Sequence, residues 1–94
     1  MRNTQTIRCA RRSDSQLPYR RILSVGGVNP DGSRWKQSQS QTIREIEGGV
    51  WDYYVQAQWR REKISVAIYF GVKYIKADSD ALHPDTLLSL PECP

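Results

Sequence analysis

Two period-2 runs, one directly after the other, constrain the fold of this chain more than any other feature. Trp51, Tyr53, Val55, Ala57 and Trp59 alternate with Asp52, Tyr54, Gln56 and Gln58. After the charged link Arg60–Lys63, Ile64, Val66, Ile68 and Phe70 alternate with Ser65, Ala67 and Tyr69. Alternation of this kind puts one set of side chains on each face of a strand. Two matched runs with a short link between them read as a hairpin meander, with strands near 51–59 and 64–70. Gly71 breaks the second run, and Val72–Ala77 supplies a third strand over residues 73–77.

One face of such a sheet needs a cover. Ser38 opens the Ser-x-x-Gln pattern of a capping box with Gln41, and Gly48-Gly49 supplies a left-handed stop. Between them Ile43 and Ile46 lie three residues apart, flanked by Thr42, with Arg44, Glu45 and Glu47 on the other side. This predicts a helix over 39–48, too short to stand alone in water, which must therefore lie on the sheet.

Upstream, Ile7 and Cys9 share a face of a strand predicted over 7–12. A polar connection closed by Pro18 leads to a second strand over 19–25, ended by Gly26-Gly27. The adjacent Ile22-Leu23 means either that both faces are covered or that a bulge shifts the register. Asn29-Pro30-Asp31-Gly32 is a turn, because proline presets φ and the Asn and Asp side chains bond their own backbone.

The expected fold is α+β: a small antiparallel sheet of about five strands in the order β-β-α-β-β-β, with one short helix packed on one face. Ile22, Trp35, Ile43, Ile46, Tyr53, Val55, Val66 and Ile68 are the expected core. The 94 residues suit a single domain over 1–94. Residues 1–6 are expected to be a disordered N-terminus. Residues 78–94 are expected to be an ordered, extended C-terminal extension held by Leu82, Leu87, Leu88 and Leu90, since Pro91 and Pro94 argue against a strand.

The longest apolar runs, Val66–Phe70 and Leu87–Leu90, fall far short of the ~20 residues that span a bilayer. The first six residues lack the apolar stretch of a signal peptide. The expectation is a cytoplasmic monomer with no membrane partner. In the cytosol Cys9 and Cys93 would stay reduced, as buried small hydrophobes or as one buried and one exposed thiol; a disulfide is open to them if the tail runs back beside the first strand.

Little in the chain suggests catalysis. His83 is the only histidine, reads as a solvated loop residue, and forms no motif with either cysteine. The Asp78-x-Asp80 pair lacks the glycine and the terminal glutamate of a calcium loop. The glycine pairs match neither a phosphate loop nor a dinucleotide fingerprint. No catalytic residue, metal site or cofactor is assigned, and the reading is of a non-enzymatic binding module.

The charge points to candidate surfaces. Residues 1–36 carry eight Lys/Arg against two acids, whereas 37–94 carry six against eight, within a net charge of +4. Such asymmetry suits a polyanionic partner, or simply lets a basic first third neutralise an acidic tail. The basic and aromatic candidates for partner binding are Arg20, Arg21, Arg34, Trp59, Arg60, Arg61 and Lys63. Arginine contacts phosphate bidentately and exposed aromatics stack bases. The leading expectation is a protein partner. The alternative is a nucleic-acid-binding module using the basic N-terminal third and a Trp59-Arg60-Arg61 hairpin tip.

Several strings carry a family likeness: Ile22–Gly32, Trp35-Lys36-Gln37-Ser38-Gln39, Ile43-x-x-Ile46-Glu47-x-Gly49, Lys73-Tyr74-Ile75-Lys76 with Ala77-x-x-Asp80, and Pro84-Asp85-x-Leu87-Leu88-Ser89-Leu90-Pro91-Glu92-Cys93. They resemble a family of small bacterial and phage proteins catalogued as domain of unknown function three-eight-nine-two. The likeness covers about residues 6–94 and departs from the family pattern at Gln58–Lys63, where a glycine turn is expected. It implies a compact domain and transfers no catalytic residue.

Overall fold

The structure, a computed structural model, describes residues 3–57 and 60–94. Among them the chain forms seven strands and two helices in two sheets, an α+β fold. Strands β1 (Asn3–Ile7), β5 (Trp51–Ala57), β6 (Arg60–Tyr69) and β7 (Val72–Ala77) make a four-stranded sheet in the order β1-β5-β6-β7. Strands β2 (Cys9–Arg12), β3 (Ile22–Val28) and β4 (Arg34–Ser38) make a second sheet in the order β2-β3-β4.

The expected single sheet is corrected at Arg8. There the strand read over 7–12 kinks, the Arg8 N–H donates to the Gly26 carbonyl at 2.8 Å, and the chain passes from one sheet to the other. Residues 3–6, expected to be disordered, are strand β1. Their backbone pairs in parallel with β5, Asn3 opposite Trp51 through Ile7 opposite Val55, and fully buried Ile7 anchors the end. Pro18 turns Pro18–Arg20 into a single 3-10 turn, so the strand expected over 19–25 begins only at Ile22. The adjacent apolar pair is resolved by a bulge: Arg11 faces Ser24 and Arg12 faces Ile22, which leaves Leu23 exposed. Strand β4 was not expected. Its exposed Arg34, Lys36 and Ser38 alternate with half-buried Trp35 and Gln37.

Helix α1 (Gln39–Glu47) forms where its caps place it. The Ser38 Oγ accepts from the Gln41 N–H at 3.1 Å, and Gly49, at φ 72°, turns the chain out of the helix. The helix packs against β3, β4, β5, β6 and β7, so the two sheets curve around it. Gln39, buried at its first turn, joins the parts. Its Nε2 donates to the carbonyls of Tyr19 and Ile22, each at 3.1 Å, and its Oε1 accepts from the Ile75 N–H at 2.9 Å. That last donor lies on the outer edge of β7, which would otherwise be left unpaired.

Of the expected core, Ile22, Ile43, Tyr53 and Val55 are buried, while Trp35, Ile46 and Val66 are half-buried against it. Ile68 is 64% exposed and is removed from the core. The reason lies in the pairing. β6 pairs with β5 only where 60–63 meet 54–57, and its remaining length pairs with β7, so the far end of that hairpin runs past the helix.

The closing segment holds a short helix α2 (Asp85–Leu88) where extended chain was expected. Leu87 and Leu90 are buried. The Asp80 carboxylate accepts from the Thr86 N–H at 3.2 Å and from the Ala77 N–H at 3.2 Å, which caps α2. The Ala10 N–H donates to the Pro91 carbonyl at 3.0 Å, and Arg12 Nη1 donates to the carbonyls of Leu88 and Leu90. The tail therefore lies beside β2, and Cys9 and Cys93 are joined in a disulfide with their Cα atoms 4.9 Å apart. This corrects the default expectation of two reduced thiols. No helix of the described residues is long and apolar enough to cross a membrane.

Candidate interaction surfaces

The structure brings together two of the seven candidate residues and disperses the others. Arg61 and Lys63, expected in the link and tip of the hairpin, stand instead within β6, on its outer face opposite Gln56 and Tyr54 of β5. The Arg61 guanidinium carbon lies 4.1 Å from the centroid of the Tyr54 ring, a cation–π contact, and Thr6 of β1 completes the row beyond Tyr54. Arg20 sits on the 3-10 turn, its guanidinium 5.7 Å from the ring of its neighbour Tyr19. Arg21 is half-buried, with Nη1 3.3 Å from Nδ1 of His83, so that histidine is not the free loop residue expected. Arg34 opens β4 in the other sheet. Trp59 and the side chain of Arg60 lie outside the described residues.

The Cys9 sulfur is bonded to Cys93 and His83 faces Arg21, so the two are not a nucleophile and its base. Among the described residues no group of three or more His, Cys, Asp or Glu side chains converges to hold a metal ion. One polar cluster is half-buried. Gln37 Nε2 donates to Thr42 Oγ1 at 2.9 Å and to the Tyr53 hydroxyl at 2.8 Å, and that hydroxyl donates to the Glu45 carboxylate. Burial alone would raise the Glu45 carboxyl, but the hydrogen bonds from Tyr53, Gln41 and Gln37 outweigh it and hold the group below its ordinary value. Burial, with the neighbouring carboxylate, pushes the Tyr53 phenol up. These groups tie β4, α1 and β5 together, which is a structural task.

The β6–β7 turn is different. Phe70 has φ 49° and Gly71 φ 77°, and register places Tyr69 opposite Val72, so two residues close the hairpin with both at positive φ. Such turns favour Asn-Gly or Gly-Gly, because a side chain with a Cβ in that region costs roughly 1–2 kcal/mol. Phenylalanine gains no burial in return: it is 86% exposed. Ile68 and Val72 are also exposed, and they lie on opposite faces of the hairpin, since Ile68 pairs with Lys73 and Val72 with Tyr69. The tip is apolar on both faces. Its nearest charge is neutralised, as Lys73 Nζ lies 2.8 Å from the Glu47 carboxylate. From Phe70 a file of rings leads back to the body, 4.5 Å to Tyr69 in an edge contact and 6.4 Å from Tyr69 to Tyr19.

Sequence reasoning missed this tip. It read Phe70 as the last residue of an alternating strand and Gly71 as a break. The available signal was an x-Gly pair between two alternating runs, which marks a two-residue hairpin whose first loop residue points outward.

A comparison with curated proteins and one with solved structures return no match. A family model does match: residues 6–91 fit the model described as protein of unknown function, DUF3892, and with nearly the whole chain covered the protein belongs to that family.

Proposed function

We propose that this chain is a non-enzymatic interaction module that engages a protein partner, and that the β6–β7 tip is the part that docks. The observation that carries this is Phe70, which combines an unfavourable backbone conformation with near-complete exposure. Strain and solvent-exposed apolar area at one residue do nothing for the fold, and such residues concentrate at sites of recognition. A buried aromatic anchor ringed by smaller apolar groups is also how protein interfaces concentrate their affinity. Ile68, Val72 and Tyr69 supply that ring. With Lys73 paired to Glu47, the tip favours an apolar pocket on a protein over a polyanion.

The experiment is a comparative capture from a host extract, with the native chain, Phe70→Asn, and the double change Arg61→Ala, Lys63→Ala as baits. The proposal expects one partner to be retained by the native chain and the double variant but lost by Phe70→Asn. Nucleic-acid binding is the second reading, favoured by Arg61 stacked on Tyr54 beside Lys63 on one open sheet face. It expects the reverse: loss of bound oligonucleotide in the double variant only, with a log affinity that falls linearly as log salt rises. As part of the same proposal the chain acts as a monomer in the cytoplasm, where the Cys9–Cys93 bond meets a reducing pool of small thiols.

A further inference from the structure

The Cys9–Cys93 bond lies on the outer face of the three-stranded sheet, and its surroundings are those of a bond built to be reached. Register puts Cys9, Gly26 and Lys36 in one cross-strand row. Gly26 has no side chain, and the bond rests on its backbone: a Cβ there would come within 3.0 Å of Cys9 Sγ and 3.3 Å of Cys93 Sγ. No side chain therefore separates the two sulfurs from the Lys36 side of the row. Arg34, two residues before Lys36, shares its face. Both cations are exposed, and among the described residues neither is in an ion pair. Cys9, Cys93, Arg34, Trp35, Lys36 and Pro94 line a cavity of about 100 Å³. Both cysteines are half-buried.

We infer that this bond is a thiol–disulfide exchange site for a small anionic thiol, with Arg34 and Lys36 selecting the charge of the attacking molecule. The cavity admits the sulfur-bearing end of such a molecule, and the cations hold its carboxylates outside. The incoming thiolate attacks Cys93 Sγ, a new S–S bond forms to that atom, and the Cys9–Cys93 bond breaks. Its electron pair leaves on Cys9 as a thiolate, which the neighbouring ammonium stabilises. A nearby cation lowers a thiol's pKa, and a leaving thiol of lower pKa departs faster. A second thiol then attacks the mixed disulfide at the small molecule's sulfur. Cys93 is released as a thiolate, and two thiols have been oxidised to one small disulfide while the protein pair has been reduced.

Exchange need not unfold the chain, because the tail is held independently of the bond. Leu87 and Leu90 are buried, Pro91 accepts from Ala10, and Arg12 grips the carbonyls of Leu88 and Leu90. The modification is thus confined to the surface that Arg34 and Lys36 share.

The test uses the full chain purified without reductant. It is treated separately with glutathione (anionic), 2-mercaptoethanol (neutral) and cysteamine (cationic), acid-quenched at intervals and read by intact mass. Each rate is divided by that of the same thiol with a small uncharged disulfide. The expected result is a mixed disulfide on Cys93, with a normalised glutathione rate about fivefold or more above that of cysteamine, the factor for one charge pair at close range in water. That ratio should fall towards one in Arg34→Gln, Lys36→Gln, and in the native chain at ~1 M salt, where the screening length is about 3 Å. Two free thiols in the untreated chain, no adduct, a rate blind to thiol charge, or a ratio indifferent to salt would each overturn the inference. The salt series needs no variant, so the outcome does not depend on the double substitution folding.

Discussion

Replacing Phe70 by Asn should leave the fold as stable as before or slightly more so, although an aromatic residue is lost. Three contributions set the size of the effect. Relief of the positive φ at residue 70 contributes roughly 1–2 kcal/mol for a side chain that tolerates that region poorly, and Asn is among the residues that tolerate it best. Against it stands the edge contact with Tyr69 at 4.5 Å, worth about 0.5–1.5 kcal/mol for an aromatic pair. The transfer contribution is small, since the ring is already 86% in water. The balance runs from about −0.5 to +1.5 kcal/mol in favour of the variant, centred on about +0.5 kcal/mol, or a rise of roughly 2–4 °C in melting temperature for a domain of this size. Urea titration and thermal melts of both chains measure it, with Ile64→Ala as the scale, because Ile64 is 1% exposed and its truncation should cost roughly 2–5 kcal/mol. A loss above 1 kcal/mol in Phe70→Asn would show that Phe70 serves the fold, and the functional reading of its exposure would fall with it.

Other substitutions probe the frame that carries the tip. Gln39→Ala removes three hydrogen bonds and strands the buried Ile75 N–H, so it should cost about 2–4 kcal/mol in urea titration, with faster amide exchange at Ile75. Gly27→Ala should cost roughly 1–3 kcal/mol or more, because its Cβ would lie 2.5 Å from the Thr6 carbonyl oxygen and 2.8 Å from Trp35 Nε1 at the junction of the sheets; a variant that melts with the native chain would contradict that packing. Glu45 is held below its ordinary value in the fold, so its contribution is present above the unfolded-state pKa and is lost as pH falls through the lower folded value. Acid unfolding of Glu45→Gln should accordingly show a shallower pH dependence below about pH 4.5 than the native chain, and parallel curves would refute it.

What the sequence revealed and what it hid follow from the range of the interactions involved. The helix was legible because its signals are local: Ser38 caps the N–H of Gln41, and Gly49 takes the positive φ that ends it. The paired runs of β5 and β6 were legible for the same reason. Strand β1 was not, because Asn3–Thr6 are polar and their pairing is set by Trp51–Tyr54, far along the chain. Strand β4 was hidden by Gln37, a polar residue on an inward face, whose amide is satisfied there by Thr42 and Tyr53. Alternation showed that Val66 and Ile68 share a face, yet only the register reveals that the hairpin outruns its cover. Of the candidate surface, Arg61 and Lys63 were named from composition, while their platform Tyr54 and the exposed Phe70 required the fold.

The central claim is that residue 70 enters a pocket on a partner protein, and site-specific photo-crosslinking tests it most directly. A photoreactive phenylalanine analogue is placed at position 70 and, for comparison, at Val28, an exposed apolar site on the other sheet with 45% exposure. After illumination in the native host, the account predicts one dominant protein adduct from position 70 that is absent from position 28 and suppressed by excess unlabelled native chain but not by unlabelled Phe70→Asn. Equal adducts from both positions, adducts to nucleic acid alone, or a position-70 adduct that Phe70→Asn suppresses equally well would contradict it.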